Sequence, residues 1–352
     1  MSIPSLSKTF SDIVNQISNI GLDRHAQSLL DHAKANLSDI KKSVKDLSLL
    51  TGEKGRSGIV ISAGPSVYRK HSIKRIQSSG YKGTVICADG AYIACLKAGL
   101  IPDFVLTLDP HETRIVRWFG DPEFEQHSAQ DDYFKRQDLD VDFRKDTLEQ
   151  NKKHIELVNQ HGHKTKAIVS SSAPRNVIAR LKEARFDMYW WNPLVDNPHQ
   201  PDSLTRKIYN INGLTCFNTG GTVGTAAWVF ADSILKFSKI GLVGMDFGYY
   251  MDTPKNKTQT YYELVKHLGN EKNVESCFQE FEFPLTKEKF YVDPTYFGYR
   301  SNFLTLSKRG KSKTINCTEG GILFDDHIPC QTLDQFIEGM DSVTKQEYAQ
   351  KS

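Results

Sequence analysis

Long apolar runs are missing from this chain. No stretch of its 352 residues approaches the roughly 20 apolar residues that cross a bilayer. Its start, MSIPSLSKTF, lacks a basic segment followed by an apolar core, so a secretory signal is not expected and the expected location is the cytoplasm. Dense Lys/Arg tracts with interleaved aromatics are absent, and net charge is only +3, which argues against a nucleic-acid partner. None of the six cysteines (Cys87, Cys95, Cys216, Cys277, Cys317, Cys330) forms a Cys-x-x-Cys pair, and no histidine stands near them at zinc spacing. They read as buried, reduced thiols. The Gly-x-Gly-x-x-Gly fingerprint and the Walker A lysine motif are both absent, which disfavours a nicotinamide site and a P-loop kinase. Internal repeats and low-complexity tracts are absent too.

What remains is ordinary globular composition, 39% hydrophobic and 25% charged. Residues 1–54 read as a helical N-terminal region, with Ile13, Ile17, Ile20, Leu29, Leu30, Ala33, Leu37, Ile40 and Val44 at three- and four-residue steps. These helices are a candidate cap or homo-oligomerisation element. From Gly58 the texture changes to short apolar runs alternating with helical segments. Strands are expected near 58–63, 84–88 and 104–108, with helices at 68–79 and 92–98 between them. That alternation implies parallel pairing with right-handed crossovers, a Rossmann-like α/β fold. The fold is expected over 55–340, with a polar helical insertion near 118–165 and a tail at 341–352. Strands are expected again at 166–170, 186–191, 239–244 and 314–317. The stretch 192–214, with three prolines, reads as loop, and 251–290 as irregular. Helices are expected at 175–185, 225–236, 300–308 and 333–340.

Ligands of such sheets gather at the C-terminal ends of the strands. Gly64-Pro65-Ser66 follows the first strand and precedes a helix, so its backbone N–H groups can face an anion; it can equally be a tight connecting turn. Asp89-Gly90 stands at the end of the second strand, suited to ribose hydroxyls or to capping a helix. Asp103 and Asp109 flank the third strand, oxygen ligands for a hard cation or turn-forming residues. Asn218-Thr219-Gly220-Gly221-Thr222 is a second small-residue turn before a helix, and Asp246 follows one strand later with Tyr249 and Tyr250. Tyr296, Tyr299 and Arg300 can neutralise a departing phosphate. Glu319 in Thr318-Glu319-Gly320-Gly321 is a base or a turn-stabilising carboxylate, and His267 is a further candidate base.

Val60-Ile61-Ser62-Ala63-Gly64-Pro65-Ser66, Ala88-Asp89-Gly90-Ala91, Ile101-Pro102-Asp103-Phe104-Val105 and Thr107-Leu108-Asp109-Pro110 resemble the domain shared by motility accessory factors and the archaeal 6-hydroxymethylpterin pyrophosphokinase. Asn218 to Val223, Leu242-Val243-Gly244-Met245-Asp246 and Asn316-Cys317-Thr318-Glu319-Gly320-Gly321 extend the resemblance, which spans roughly 55–330. Motility accessory factors are implicated in transferring nonulosonic, sialic-acid-like sugars to flagellin, and their central domain is similar to bacterial sialyltransferases with CMP-activated donors. The resemblance thus implies a glycosyltransferase for a CMP-nonulosonate, with a protein or glycan acceptor and no required cofactor. Nucleotide binding would fall to Gly64, Pro65, Ser66, Asp89, Gly90, Asn218, Thr219, Gly220, Gly221, Thr222, Asp246 and Tyr296. Tyr250 and Arg300 would stabilise the leaving phosphate, and His267 or Glu319 would activate the acceptor. The other branch implies diphosphate transfer from ATP with Mg2+, held by Asp103 and Asp109. A non-catalytic nucleotide-binding module is the third expectation.

Overall fold

The computed structural model describes residues 26–49, 57–131, 141–258, 261–269 and 274–339. Its strands, in chain order, are β1 (Ser57–Ile61), β2 (Thr84–Ala88), β3 (Phe104–Thr107), β4 (Lys166–Ser170), β5 (Asp187–Leu194), β6 (Cys216–Asn218), β7 (Lys239–Val243), β8 (Tyr249–Tyr250), β9 (Gln279–Glu282), β10 (Lys289–Val292) and β11 (Lys313–Asn316). The chain divides into two compact units. The first comprises Met1–Ile20, Lys54–Thr84 and Lys236–Ser352; the second comprises Gly21–Glu53 and Val85–Leu235. Among the described residues no helix is long and apolar enough to cross a membrane.

In the first unit β7 lies between β1 and β11, parallel to both, with Ile59 and Ile315 each opposite Gly241. Val60 and Leu242 are fully enclosed, as expected of strands covered on both faces. The stretch 251–290, expected to be irregular, is instead built: Tyr261–Leu268 is a helix, and β9 and β8 flank β10 in a small antiparallel sheet. Phe281, Phe283 and Phe290 give that sheet its apolar face. The helix expected at 300–308 begins earlier, at Pro294, because Asp293 caps it by accepting from the Tyr296 N–H. The helix expected over 68–79 is broken into Ser66–Arg69 and Ser72–Ser78, with His71 between them at φ 51°.

The second unit carries β2 to β6 as a parallel sheet in sequential order. The crossovers include helices Asp89–Lys97, Val141–His161, Arg175–Glu183 and Leu204–Asn212. The last corrects the loop expected at 192–214. Ser203 caps its start by accepting from Arg206 N, and Gly213, at φ 66°, ends it in the left-handed conformation.

Residues 26–35 are helical. Leu29 and Ala33 pack on Leu204 and Ile208, so this helix uses its apolar face within its own unit. Asn36, fully buried, donates to the carbonyls of Ser171 and Ala173 at 2.9 and 2.8 Å. Trp190 N donates to Lys42 O at 3.0 Å. The N-terminal segment thereby covers the residues after β4 and the first half of β5. Ile13, Ile17 and Ile20 lie outside the described residues, as does the tail expected at 341–352. All six cysteines are free thiols, four of them buried.

Candidate functional site

In the first unit the loops leaving β1, β7 and β11 meet. Ser66 donates to Asp246 twice, from Oγ at 2.7 Å and from its backbone N at 3.3 Å. Gly64 N donates to Gly244 O at 2.9 Å, Val67 N to Gly64 O at 3.1 Å, and Ile322 N to Asp246 O at 2.8 Å. Glycine is required where the loops touch. A Cβ on Gly64 would lie 2.0 Å from Asp246 Oδ2, and one on Gly321, at φ 76°, 2.3 Å from Asp246 O. Burial pushes the Asp246 carboxyl up to about 7, against the opposing hydrogen bonds from Ser66.

This geometry corrects the reading of Gly64-Pro65-Ser66 as a phosphate cradle. Pro65 has no N–H, and the donors of Gly64, Ser66 and Val67 are already engaged, those of Ser66 by a carboxylate that would repel an anion. The turn and Asp246 form a structural knot.

Glu319, at φ 56°, is paired with Arg75 through both carboxylate oxygens, and Arg75 also bridges to Asp334 at 2.9 Å. A carboxylate clamped by a guanidinium is not a free base. Arg300 is buried and donates from Nε to Ile322 O at 2.7 Å and from Nη2 to Phe324 O at 2.8 Å. It fastens the loop after Gly321, which corrects its expected role on a phosphate. Tyr296 is half-buried against Tyr249 and Tyr299, with ring centroids 5.2 and 6.1 Å away. Tyr250 differs: its hydroxyl is buried and has no hydrogen-bond partner among the described residues. Arg69 stands over its ring at 4.0 Å, and burial raises its pKa. His267 falls on the helix Tyr261–Leu268, and its side chain lies outside the described residues.

The first unit also holds a chain of polar groups that sequence reading missed. His327 Nε2 lies 2.7 Å from Ser307 Oγ, and its Nδ1 lies 2.5 Å from Asp325 Oδ1. The adjacent N–H groups of Lys308, Arg309 and Gly310 are bonded to Leu304, Leu306 and Ser307 carbonyls. With those donors engaged, the order Ser–His–Asp lacks an oxyanion hole there and braces the end of a helix.

In the second unit Asp89 is the first residue of its helix rather than part of a turn before it. Its Oδ1 accepts from Gly90 N at 2.7 Å, while Oδ2, buried, has no partner among the described residues. β2 and β3 pair with Ala88 opposite Leu106, which sets Thr107 beside Asp89. Thr107 is 1% exposed and sets its buried hydroxyl against the Asp89 carboxyl. Burial raises the Asp89 carboxyl to about 7, the Thr107 hydroxyl and the Gly90 N–H oppose the rise, Asp109 adds to it, and Arg117 counters it. Thr107 was not singled out from sequence. Its signal was a polar residue closing an otherwise apolar strand.

Asp103 and Asp109 do not form one cation site. Asp103 opens β3, with Oδ2 accepting from Val85 N at 2.8 Å, whereas Asp109 lies past its other end with Oδ1 accepting from His111 N at 2.9 Å. Six residues of extended chain separate them by roughly 20 Å. Among the described residues no group of three His, Cys, Asp or Glu side chains could hold a metal.

The Asn218–Thr222 turn satisfies much of itself. Asn218 Oδ1 accepts from Gly220 N at 2.8 Å, Thr219 Oγ1 from Gly221 N at 3.3 Å, and Thr222 Oγ1 from Thr225 N at 3.1 Å. Gly220 and Gly221 have φ of 59° and 93°, a conformation glycine adopts freely. Val223 and Gly224 open the following helix, so their N–H groups lack intrahelical partners.

The fold and these strand-end loops define a Rossmann-like α/β protein. Residues 31–124 match the family model "6-hydroxymethylpterin diphosphokinase MptE-like". Among solved structures, the MAf glycosyltransferase from Magnetospirillum magneticum AMB-1 is similar, with a TM-score of 0.51 and 14% identity over 90% of this chain. The chain spans 41% of that protein's length. Both findings support the family resemblance read from the motifs. No curated protein matches the sequence.

Proposed function

We propose that this chain is a glycosyltransferase whose donor is a CMP-activated nonulosonic sugar. The fold likeness to the MAf glycosyltransferase supports the transferase class. The observation that carries the reading is the pair of buried polar side chains, Asp89 and Thr107, set side by side at adjacent strand ends. Asn218–Thr222 and the opening N–H groups of the following helix would hold the nucleotide phosphate. Of the residues expected in catalysis, Tyr250 and His267 belong to the first unit, where Tyr250 keeps an unpartnered hydroxyl among the described residues and His267 is the proposed base. No metal is required, because the phosphate leaves on CMP and the charge is met by hydrogen-bond donors. Incubation with a CMP-nonulosonate should release CMP. Absence of both CMP release and CMP binding would sink the reading.

A second reading, diphosphate transfer from ATP to a hydroxymethylpterin-like alcohol, is favoured by the family model over residues 31–124. It predicts AMP release that stops with a chelator. The separation of Asp103 from Asp109 leaves it without the cation pair it needs.

A further inference from the structure

The loops of the first unit that enter its strands carry cations and no acid. Lys82 stands just before β2, Lys236 and Lys239 at the start of β7, and Lys308, Arg309 and Lys313 on the approach to β11. The stretches 79–84, 236–239 and 307–313 contain neither Asp nor Glu. The fold gathers them. Lys313 N donates to Ser238 O at 2.8 Å, and Lys313 lies opposite Lys239 across the β7–β11 pair. Gly58 fits between the Phe237 ring and the Thr84 carbonyl, which brings 79–84 to the same edge. Lys82, Lys236, Lys308, Arg309 and Lys313 are exposed, and among the described residues none of them forms a salt bridge. Elsewhere exposed lysines find carboxylates, Lys42 with Asp187 and Lys182 with Asp39. Burial lowers the Lys239 pKa and the Lys313 charge lowers it further, against Cys317. Lys308 acts on Asp325, but that carboxylate is held by His327. We propose that this basic edge of the first unit docks on an anionic lipid surface.

The chemistry of the edge selects that partner. Lysine predominates, and an ammonium is a point charge that needs no fixed partner geometry, which suits a fluid layer of headgroups. A nucleic acid calls for stacking aromatics and arginine forks, and 307–313 holds no aromatic residue and one arginine. A protein partner calls for apolar anchors, and no exposed large apolar side chain falls in 79–84, 236–239 or 307–313. The edge lies at the N-terminal ends of β7 and β11, whereas the Gly64, Asp246 and Gly321 loops meet at their C-terminal ends, roughly 15 Å of strand away. Docking therefore leaves those loops uncovered. The proposal does not depend on which nucleotide the chain takes.

The test is cosedimentation of the full chain with phosphatidylcholine vesicles, with and without roughly 30% phosphatidylserine. Wild type is compared with Lys308→Glu/Lys313→Glu and with Lys152→Glu/Lys153→Glu, which changes net charge equally at two exposed positions on helix Val141–His161. Melting curves report folding, and Lys82→Glu/Lys236→Glu replaces the first variant if that one does not fold. Wild type should pellet only with the phosphatidylserine vesicles and should be released by high salt. Lys308→Glu/Lys313→Glu should weaken that binding about thirtyfold or more, and the helix variant about threefold or less. No pelleting with anionic vesicles, equal pelleting with neutral ones, or equal weakening by both variants overturns the proposal. Binding of a short DNA duplex in fluorescence anisotropy, without vesicle binding, overturns it in favour of a nucleic acid.

Discussion

Replacing Gly64 by alanine tests the knot of the first unit. The new methyl would lie 2.0 Å from Asp246 Oδ2 and 2.4 Å from Gly244 O. Neither neighbour can move cheaply, because the Gly244 carbonyl accepts from Gly64 N and the carboxylate accepts from Ser66. Overpacking of a tight site costs about 1–3 kcal/mol. Displacing Asp246 from Ser66 leaves a buried carboxylate short of donors, another 1–3 kcal/mol or so. The sum, about 2–6 kcal/mol, corresponds to a melting temperature lower by on the order of 10 °C. Gly80→Ala is the control. Gly80 has φ 66° but nothing within 4 Å of its added Cβ, so only the backbone term of about 1–2 kcal/mol applies. Thermal and urea denaturation of both variants decide the matter. If Gly64→Ala costs no more than Gly80→Ala, the turn is open space, and the argument that Asp246 fills it is wrong.

The raised carboxyl of Asp246 makes a pH prediction. Its folded pKa of about 7 lies above the ordinary value near 4, so its neutral form favours folding fully below pH 4, and that stability is lost as pH rises to 7. The loss approaches about 4 kcal/mol, and Asp246→Asn should flatten this part of the stability–pH profile measured by urea denaturation. Glu319→Gln breaks a mostly buried ion pair with Arg75 and should lower stability by about 2–4 kcal/mol in the same assay, with Arg75→Met in the Glu319→Gln background costing less than the two single changes added. Asn36→Ala removes two buried hydrogen bonds to the loop after β4 and should cost about 2–3 kcal/mol, with faster hydrogen exchange in residues 26–49. A chelator should leave CMP release unchanged.

The parallel strands were legible because short runs such as Val60-Ile61 and Ile168-Val169, enclosed on both faces, carry an apolar signal that no loop imitates. Element boundaries were less so. Helix Leu204–Asn212 was hidden by the prolines around it, although Ser203 and Gly213 marked both its ends. The small sheet of β8, β9 and β10 was missed because its strands are only two to four residues long and carry no period-2 pattern. Among site residues, motif reading found the strand-end loops but could not tell which donors were free. Ser66 and Arg300 bear the right groups, yet their partners come from residues distant in sequence, Asp246 and the carbonyls of Ile322 and Phe324. Thr107 became visible only once the register put it beside Asp89.

The central claim is that this chain takes a CMP-activated sugar. Its most direct test is calorimetric titration of the full chain with CMP in the presence of a chelator. The account predicts saturable, metal-independent binding that weakens in Thr107→Val. No heat with CMP, together with magnesium-dependent binding of ATP, would contradict it.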